Sequence, residues 1–237
     1  MRHLLLCVLL TLPALPAAAV ECGAVSMDGL PFTVCRVDAT TEPLRLFHTD
    51  PSGNLYGDFA ALPGDVPFAM NAGMYHPNRR PVGLYIEDGV QTTPLITGAS
   101  DGNFGLLPNG VFCIEDTSAR VIETLAYAAD PPACRDATQS GPMLVIDGAL
   151  HPRFLVDATS RYIRNGVGTS ADGTTAYFAI SNLPVTFNQF GRLFRDVLGT
   201  PNALYFDGSV SRLHAPALER SDFGRTLGPI VAVTAGP

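Results

Sequence analysis

Leu204-Tyr205-Phe206-Asp207-Gly208-Ser209 reads as a short apolar strand that stops at a carboxylate, followed by a glycine and a hydroxyl. Glycine accepts a sharp change of direction at little steric cost. The Asp207 carboxylate is therefore expected on rigid scaffold, facing a loop-lined opening of the kind in which sites are built. Asp-Gly is also ordinary turn chemistry, so the weight of this carboxylate rests on its companions. Phe68-Ala69-Met70 runs into Asn71-Ala72-Gly73, a second apolar strand ending in a polar side chain and a glycine. Ala137-Thr138-Gln139-Ser140-Gly141-Pro142 puts polar groups just ahead of the apolar strand Met143-Leu144-Val145-Ile146, where a capped turn would serve equally well. Ser160 to Gly168 sets Arg164 and Asn165 among glycines and apolar residues. An unpartnered guanidinium is costly to bury. Arg164 thus calls for an internal carboxylate, such as Asp207 or Asp157, or for an anionic ligand, and its planar fork suits phosphate.

Other chemistry is weaker. Gly98-Ala99-Ser100-Asp101-Gly102 has the form of a nucleophile elbow, and the order Ser100, Asp207, His214 suits a hydrolase triad. No strong strand precedes Ser100, and Asn103 to Gly110 cannot be the helix that should follow, so a serine hydrolase using Ser100 is a distant alternative. His48, His76, His151 and His214 show no metal-binding spacing, and His76 and His151 each precede a proline, which favours extended loop. Neither a metal nor a cofactor is expected, although a divalent cation held by Asp and backbone oxygens would leave no local signature.

The elements that must position these groups are mostly strands. A hairpin is expected between Gly23 and Asp38, and a strand over Leu44 to His48. Asp88-Gly89 signals a tight hairpin turn, and Asn109-Gly110, Asp147-Gly148 and Asp172-Gly173 repeat the device. Thr186 and Gln189 form a capping box ahead of an apolar stripe of Phe187, Phe190, Phe194, Val197 and Leu198, with Gly199 and Pro201 as the stop. Strand, helix, strand of this length predicts a right-handed crossover that makes the strands ending near Ile180 and Asp207 parallel. The expected fold is a single α+β domain with a curved mixed, largely antiparallel sheet and packed helices.

The chain of 237 residues is 46% hydrophobic and 16% charged, enough apolar material for one sizeable core. Its formal charge of −7 argues against a nucleic-acid partner held by a basic face. Arg2 and His3, the apolar run Leu4 to Leu12 and the small residues Ala17-Ala18-Ala19 have the layout of a signal peptide over residues 1–19, too short for a membrane anchor. The working domain is then 20–237, periplasmic or secreted, with no membrane span. Cys22, Cys35, Cys113 and Cys134 remain after removal of the segment bearing Cys7. In an oxidising compartment they suggest two disulfides with three connectivities, of which proximity favours Cys22–Cys35 and Cys113–Cys134.

Taken in order, Asn71-Ala72-Gly73, Gln139-Ser140-Gly141-Pro142, Arg164-Asn165-Gly166-Val167-Gly168 and Leu204 to Gly208 resemble the phosphodiester glycosidase family over roughly Phe68 to Arg212. Pro81-Val82-Gly83-Leu84-Tyr85 and Arg192-Leu193-Phe194-Arg195-Asp196 bring the chain closest to its small exported bacterial members. The family includes an animal enzyme that removes N-acetylglucosamine from a phosphodiester on mannose. Where that enzyme has Asp followed by three glycines and Ser, this chain has Asp207-Gly208-Ser209-Val210-Ser211; where it has Arg-Thr-Ala, this chain has Arg164-Asn165-Gly166. The resemblance implies an exported glycoside hydrolase that cleaves between a sugar anomeric carbon and a phosphodiester oxygen. Asp207 would stabilise or attack an oxocarbenium-like centre and Arg164 would clamp the phosphate. Asn71, Gly73, Gln139, Ser140, Asn165, Gly208 and Ser209 would line the substrate, a phosphorylated sugar or envelope glycan. A non-catalytic periplasmic protein that binds glycans or phosphoglycans, or assists envelope assembly, is the alternative from another class.

Overall fold

Tight Asp-Gly turns set the local architecture. In Asp28-Gly29, Asp88-Gly89 and Asp147-Gly148 both residues take positive φ, the geometry that matches the twist of an antiparallel pair. The computed structural model describes residues 20–235, and the expected signal segment 1–19 lies outside them. In chain order the strands are β1 (Val20–Met27), β2 (Leu30–Asp38), β3 (Leu44–Phe47), β4 (Asp65–Asn71), β5 (Tyr85–Glu87), β6 (Val90–Thr93), β7 (Gly110–Ile114), β8 (Ala119–Glu123), β9 (Asp136–Ser140), β10 (Met143–Ile146), β11 (Ala149–Leu150), β12 (Asn165–Thr169), β13 (Thr175–Ser181), β14 (Asn202–Asp207), β15 (Leu213–Ala215), β16 (Arg220–Ser221) and β17 (Ile230–Ala235). Asn109-Gly110 makes no hairpin, because Gly110 opens β7.

These strands form three sheets, in the orders β1-β2-β13-β12-β14-β10-β11, β16-β15-β4-β17-β3 and β6-β5-β9-β7-β8. All three are antiparallel, with 42% of the described residues in strands and 11% in helices, which overturns the expected α+β domain with a mixed sheet and packed helices. The reason is visible at the crossover. β13 and β14 do run in the same direction, but β12 lies between them and pairs antiparallel with both. The helices are also too short to form a layer: α1 (Thr124–Ala129) and α2 (Phe187–Arg192) each have six residues, and only the five-residue π-helical turn Leu193–Val197 extends the second. The sheets therefore cover one another. Phe68 of β4, Phe178 of β13 and Phe112 of β7 meet with ring centroids 4.7 and 5.7 Å apart, joining all three in one core.

The second helix carries its expected capping box, with the Thr186 hydroxyl accepting from Gln189 N and the Gln189 side chain accepting from Thr186 N. Together with the π-helical turn Leu193–Val197 it seals the outer face of the largest sheet through Phe190, Leu193 and Phe194. Thr186→Ala removes one cap and should cost about 1 kcal/mol, read as a lower urea midpoint at unchanged slope. Both disulfides form between the sequence neighbours, Cys22 with Cys35 directly opposite on β1 and β2, and Cys113 with Cys134. Among the described residues no helix is long and apolar enough to cross a membrane.

Candidate active site

Strand ends from all three sheets arrive at the same edge of the core. Asn71 closes β4, Ser140 closes β9, and Asn165 opens β12 opposite Asp207, the last residue of β14. Asn71 and Asn165 form a reciprocal amide pair: Asn165 Nδ2 donates to Asn71 Oδ1 at 2.9 Å, and Asn71 Nδ2 to Asn165 Oδ1 at 3.3 Å. The spare acceptor capacity of that pair is taken by Arg212 N, Asp207 N and the Ser211 hydroxyl. The Ser140 hydroxyl donates to Phe206 O at 3.0 Å, and Thr138 donates to Ala72 O at 2.8 Å. Asn71, Ser140 and Asn165 are fully buried. Their polar atoms bind the three sheets to one another beneath the carboxylate and turn none of their donors to solvent.

The register of β14 slips at this point, with Asp207 opposite Asn165 but Tyr205 opposite Gly166, so Phe206 is an extra residue. Such a bulge re-aims the next side chain, and Asp207 leaves the sheet toward the surface. Its Oδ1 accepts from Gly208 N at 2.6 Å and Ser209 N at 2.8 Å, which hold the carboxylate in one orientation. Burial pushes the Asp207 carboxyl above its ordinary value, against the opposing pull of the Ser209, Gly208 and Val210 amides. Only glycine fits at 208, since a Cβ there would collide with the Tyr205 hydroxyl. Gly73, at φ +129°, passes Thr138 and Ser140 in a conformation that other residues rarely adopt.

Asp207 lines an open cleft of about 340 Å³ together with Ser209, Val210, Met74, Tyr75, His76, Pro77, Arg79 and Arg225. Neither Arg79 nor Arg225 lies within ion-pair distance of a carboxylate among the described residues. Arg79 sits over the Tyr75 ring at 5.3 Å, and the Tyr75 hydroxyl donates to Thr226 O, next to Arg225. Arg212 braces the same wall, bonding Asp58 at 2.8 Å and the carbonyls of Asp222 and Arg225. An acid and two uncompensated guanidinium groups thus face one opening.

Arg164 stands behind Asp207 rather than in this cleft. Its side chain is 1% exposed, stacks on Phe187 at 3.6 Å, and donates to Val185 O, the Tyr205 hydroxyl and Ser160 O at 2.9, 3.2 and 3.3 Å. Among the described residues it pairs with no carboxylate, neither Asp207 nor Asp157, and burial lowers its pKa below the usual arginine value. Gln139 is turned away as well. Its Oε1 accepts from Leu84 N and Ile96 N, and its Nε2 donates to Ile96 O and Thr124 Oγ1, so the amide fastens the segment 83–96. Ser100 lies in an exposed loop, whereas His214 Nδ1 bonds Ser221 and the ring packs on Phe59, so Ser100, Asp207 and His214 form no triad. No group of three or more His, Cys, Asp or Glu is placed to hold a metal among the described residues. Reading the sequence missed Tyr75, Arg79 and Arg225. The Arg79-Arg80 pair soon after Asn71-Ala72-Gly73 was the available signal, and Arg225 offered none.

Comparisons with known proteins cover most of the chain. The family profile described as phosphodiester glycosidase matches residues 64–221. The uncharacterized protein YigE of Escherichia coli (strain K12) is 32% identical over 209 residues, covering 86% of this chain and 81% of its own length. Among solved structures, the catalytic domain of zebrafish N-acetylglucosamine-1-phosphodiester alpha-N-acetylglucosaminidase, auto-inhibited by its pro-peptide, matches with a TM-score of 0.60 at 11% identity. The match covers 93% of this chain and 85% of that one. A hypothetical protein from Synechocystis matches with a TM-score of 0.56 at 12% identity, covering 90% and 61%. At these identities the two structures share the fold.

Proposed function

Because the chain belongs to the phosphodiester glycosidase family, we propose that the Asp207 cleft hydrolyses the bond between a sugar anomeric carbon and a phosphodiester oxygen. The observation that carries this reading is the pairing, in one cleft, of a buried, amide-oriented carboxylate with two arginines that no carboxylate neutralises. Glycosidic cleavage passes through an oxocarbenium-like state that a carboxylate stabilises or attacks. Asp207 has that role, and its amide bonds and strand-end position remove the need to reorganise as charge develops.

Arg79 and Arg225 hold the phosphodiester and neutralise the second negative charge that grows on the leaving phosphate. A phosphate monoester leaves readily, which suits a cleft whose lining, among the described residues, contains no carboxylate besides Asp207. Arg164 acts from behind, keeping Tyr205 and the Ser160 segment beside Gly208. The two disulfides fit an oxidising compartment, periplasmic or extracellular.

The test is release of free sugar from a panel of sugar-1-phosphodiesters, N-acetylglucosamine among them. Saturable binding of the panel without product would favour the glycan-binding alternative. Hydrogen bonds to charged groups are worth about 1.5–3 kcal/mol. Arg79→Gln and Arg225→Gln should therefore each raise KM by roughly tenfold or more with the melting temperature unchanged. An unaltered KM in both would remove them from the phosphate site.

A further inference from the structure

The arginines of this chain divide by position. The sequence contains no lysine, so arginine supplies every side-chain cation apart from histidine. Arg79, Arg80, Arg153, Arg161, Arg164 and Arg225 have no carboxylate within ion-pair distance among the described residues, whereas every other described arginine has one. All six unpaired arginines belong to loops at the Asp207 edge of the core. Arg79 and Arg80 follow β4 beyond Asn71. Arg225 lies between β16 and β17, whose first residue pairs with Asn71. Arg153 and Arg161 lie in the segment that enters β12 at Asn165, opposite Asp207. Arg164 is enclosed by aromatic rings, Arg79 is half-buried, and the other four are on the surface. On a chain of net charge −7 this is a marked segregation.

The same loops carry the two most exposed large apolar side chains among the described residues, Phe223 at 94% and Val156 at 87%. Leu155, Tyr162 and Leu183 add exposed apolar surface beside them. The apolar groups are spread over three loops, two of which also carry the exposed Arg153, Arg161 and Arg225, rather than gathered into one dry patch of the kind a folded protein partner covers. A soluble polyanion would use the arginines and leave Phe223 and Val156 in water. Apolar tips interspersed with cations match the boundary of an anionic bilayer, where rings and aliphatic groups enter the acyl region and arginines meet lipid phosphates.

We propose that the Asp207 edge docks on an anionic phospholipid surface. Phe223 and Val156 enter the headgroup–acyl boundary, and Arg80, Arg153 and Arg161 contact headgroup phosphates. The docking concerns how the chain meets a surface and stands whether or not the cleft is catalytic.

The test is co-sedimentation of the chain from Val20 onward, which excludes the apolar run Leu4 to Leu12, with two kinds of vesicle: phosphatidylcholine alone, and phosphatidylcholine mixed with phosphatidylglycerol. The expected result is binding to the anionic vesicles that weakens with added salt. Phe223→Ser combined with Val156→Ser should lower partitioning roughly tenfold or more, and Arg80→Gln combined with Arg153→Gln roughly tenfold. These positions are exposed, so both double variants should keep the wild-type melting temperature, which separates lost docking from lost folding. Wild-type protein that prefers anionic vesicles no more than neutral ones overturns the proposal. So does either double variant binding as wild type, or a chain that binds soluble polyphosphate and ignores vesicles.

Discussion

Asp207→Asn yields a folded protein that releases sugar from a phosphodiester at a rate lower by on the order of a thousandfold, the scale seen when a group that stabilises transition-state charge is removed. Asparagine keeps the acceptor for Gly208 N and Ser209 N, removes the charge and turns the other oxygen into an NH2 donor. Its effect on stability has a defined sign. Burial raises the folded-state pKa of Asp207 above the ordinary value of 3.8. The folded protein therefore holds this proton more tightly than the unfolded chain, and stability falls as pH rises from the ordinary value through the folded one. At neutral pH the variant loses that penalty, so its melting temperature should equal or exceed that of the wild type. A melting temperature several degrees lower would make the carboxylate structural instead. Activity runs the other way, because only the ionised carboxylate can meet a cationic centre. The acid limb of kcat/KM should rise through a midpoint above the ordinary Asp value, and a midpoint at or below it would show that another group titrates.

Arg164→Lys should be the most damaging conservative substitution in the chain. Lysine lacks the planar fork and the flat face that stacks on Phe187 at 3.6 Å. It cannot reach Val185 O, Ser160 O and the Tyr205 hydroxyl together. Each buried acceptor left short costs about 1–3 kcal/mol, so a total near 3 kcal/mol is expected. For a chain of this size that corresponds to a melting temperature lower by roughly 6–12 °C. Phe187→Leu should shift it in the same direction by less. A direct phosphate clamp predicts the reverse pattern, an unchanged melting temperature with a large increase in KM. Thermal unfolding read beside KM for Arg164→Lys and Arg79→Gln distinguishes a brace behind the site from a ligand within it.

Local chemistry made much of this protein legible. Asp88-Gly89 and Asp147-Gly148 turn where their left-handed preference says they should, and the Thr186–Gln189 capping box starts a helix because both partners lie within one turn. Cys22 and Cys35 lie across a single hairpin, which makes their pairing a short-range property. The strand ends at Asn71 and Asp207 could be read for the same reason, each being an apolar run that stops at a polar residue ahead of a glycine, whereas Ser140 closes the polar strand Asp136–Ser140 and Asn165 opens its own.

Packing decided the rest. The helix after Ile180 was evident, but the insertion of β12 between β13 and β14, which makes the sheet wholly antiparallel, depends on residues earlier in the chain than either strand. The resemblance likewise assigned Asn71, Gln139, Ser140 and Asn165 to the lining of the substrate. Only the folded arrangement shows that they satisfy one another and the backbone, because hydrogen-bond saturation depends on neighbours in space. Sequence determined that this protein has a carboxylate at the end of a buried strand. Tertiary structure decided that Arg79 and Arg225, from two distant loops, would share a cleft with it while Arg164 would stand behind, since electrostatic partnership is a matter of distance through space and not along the chain.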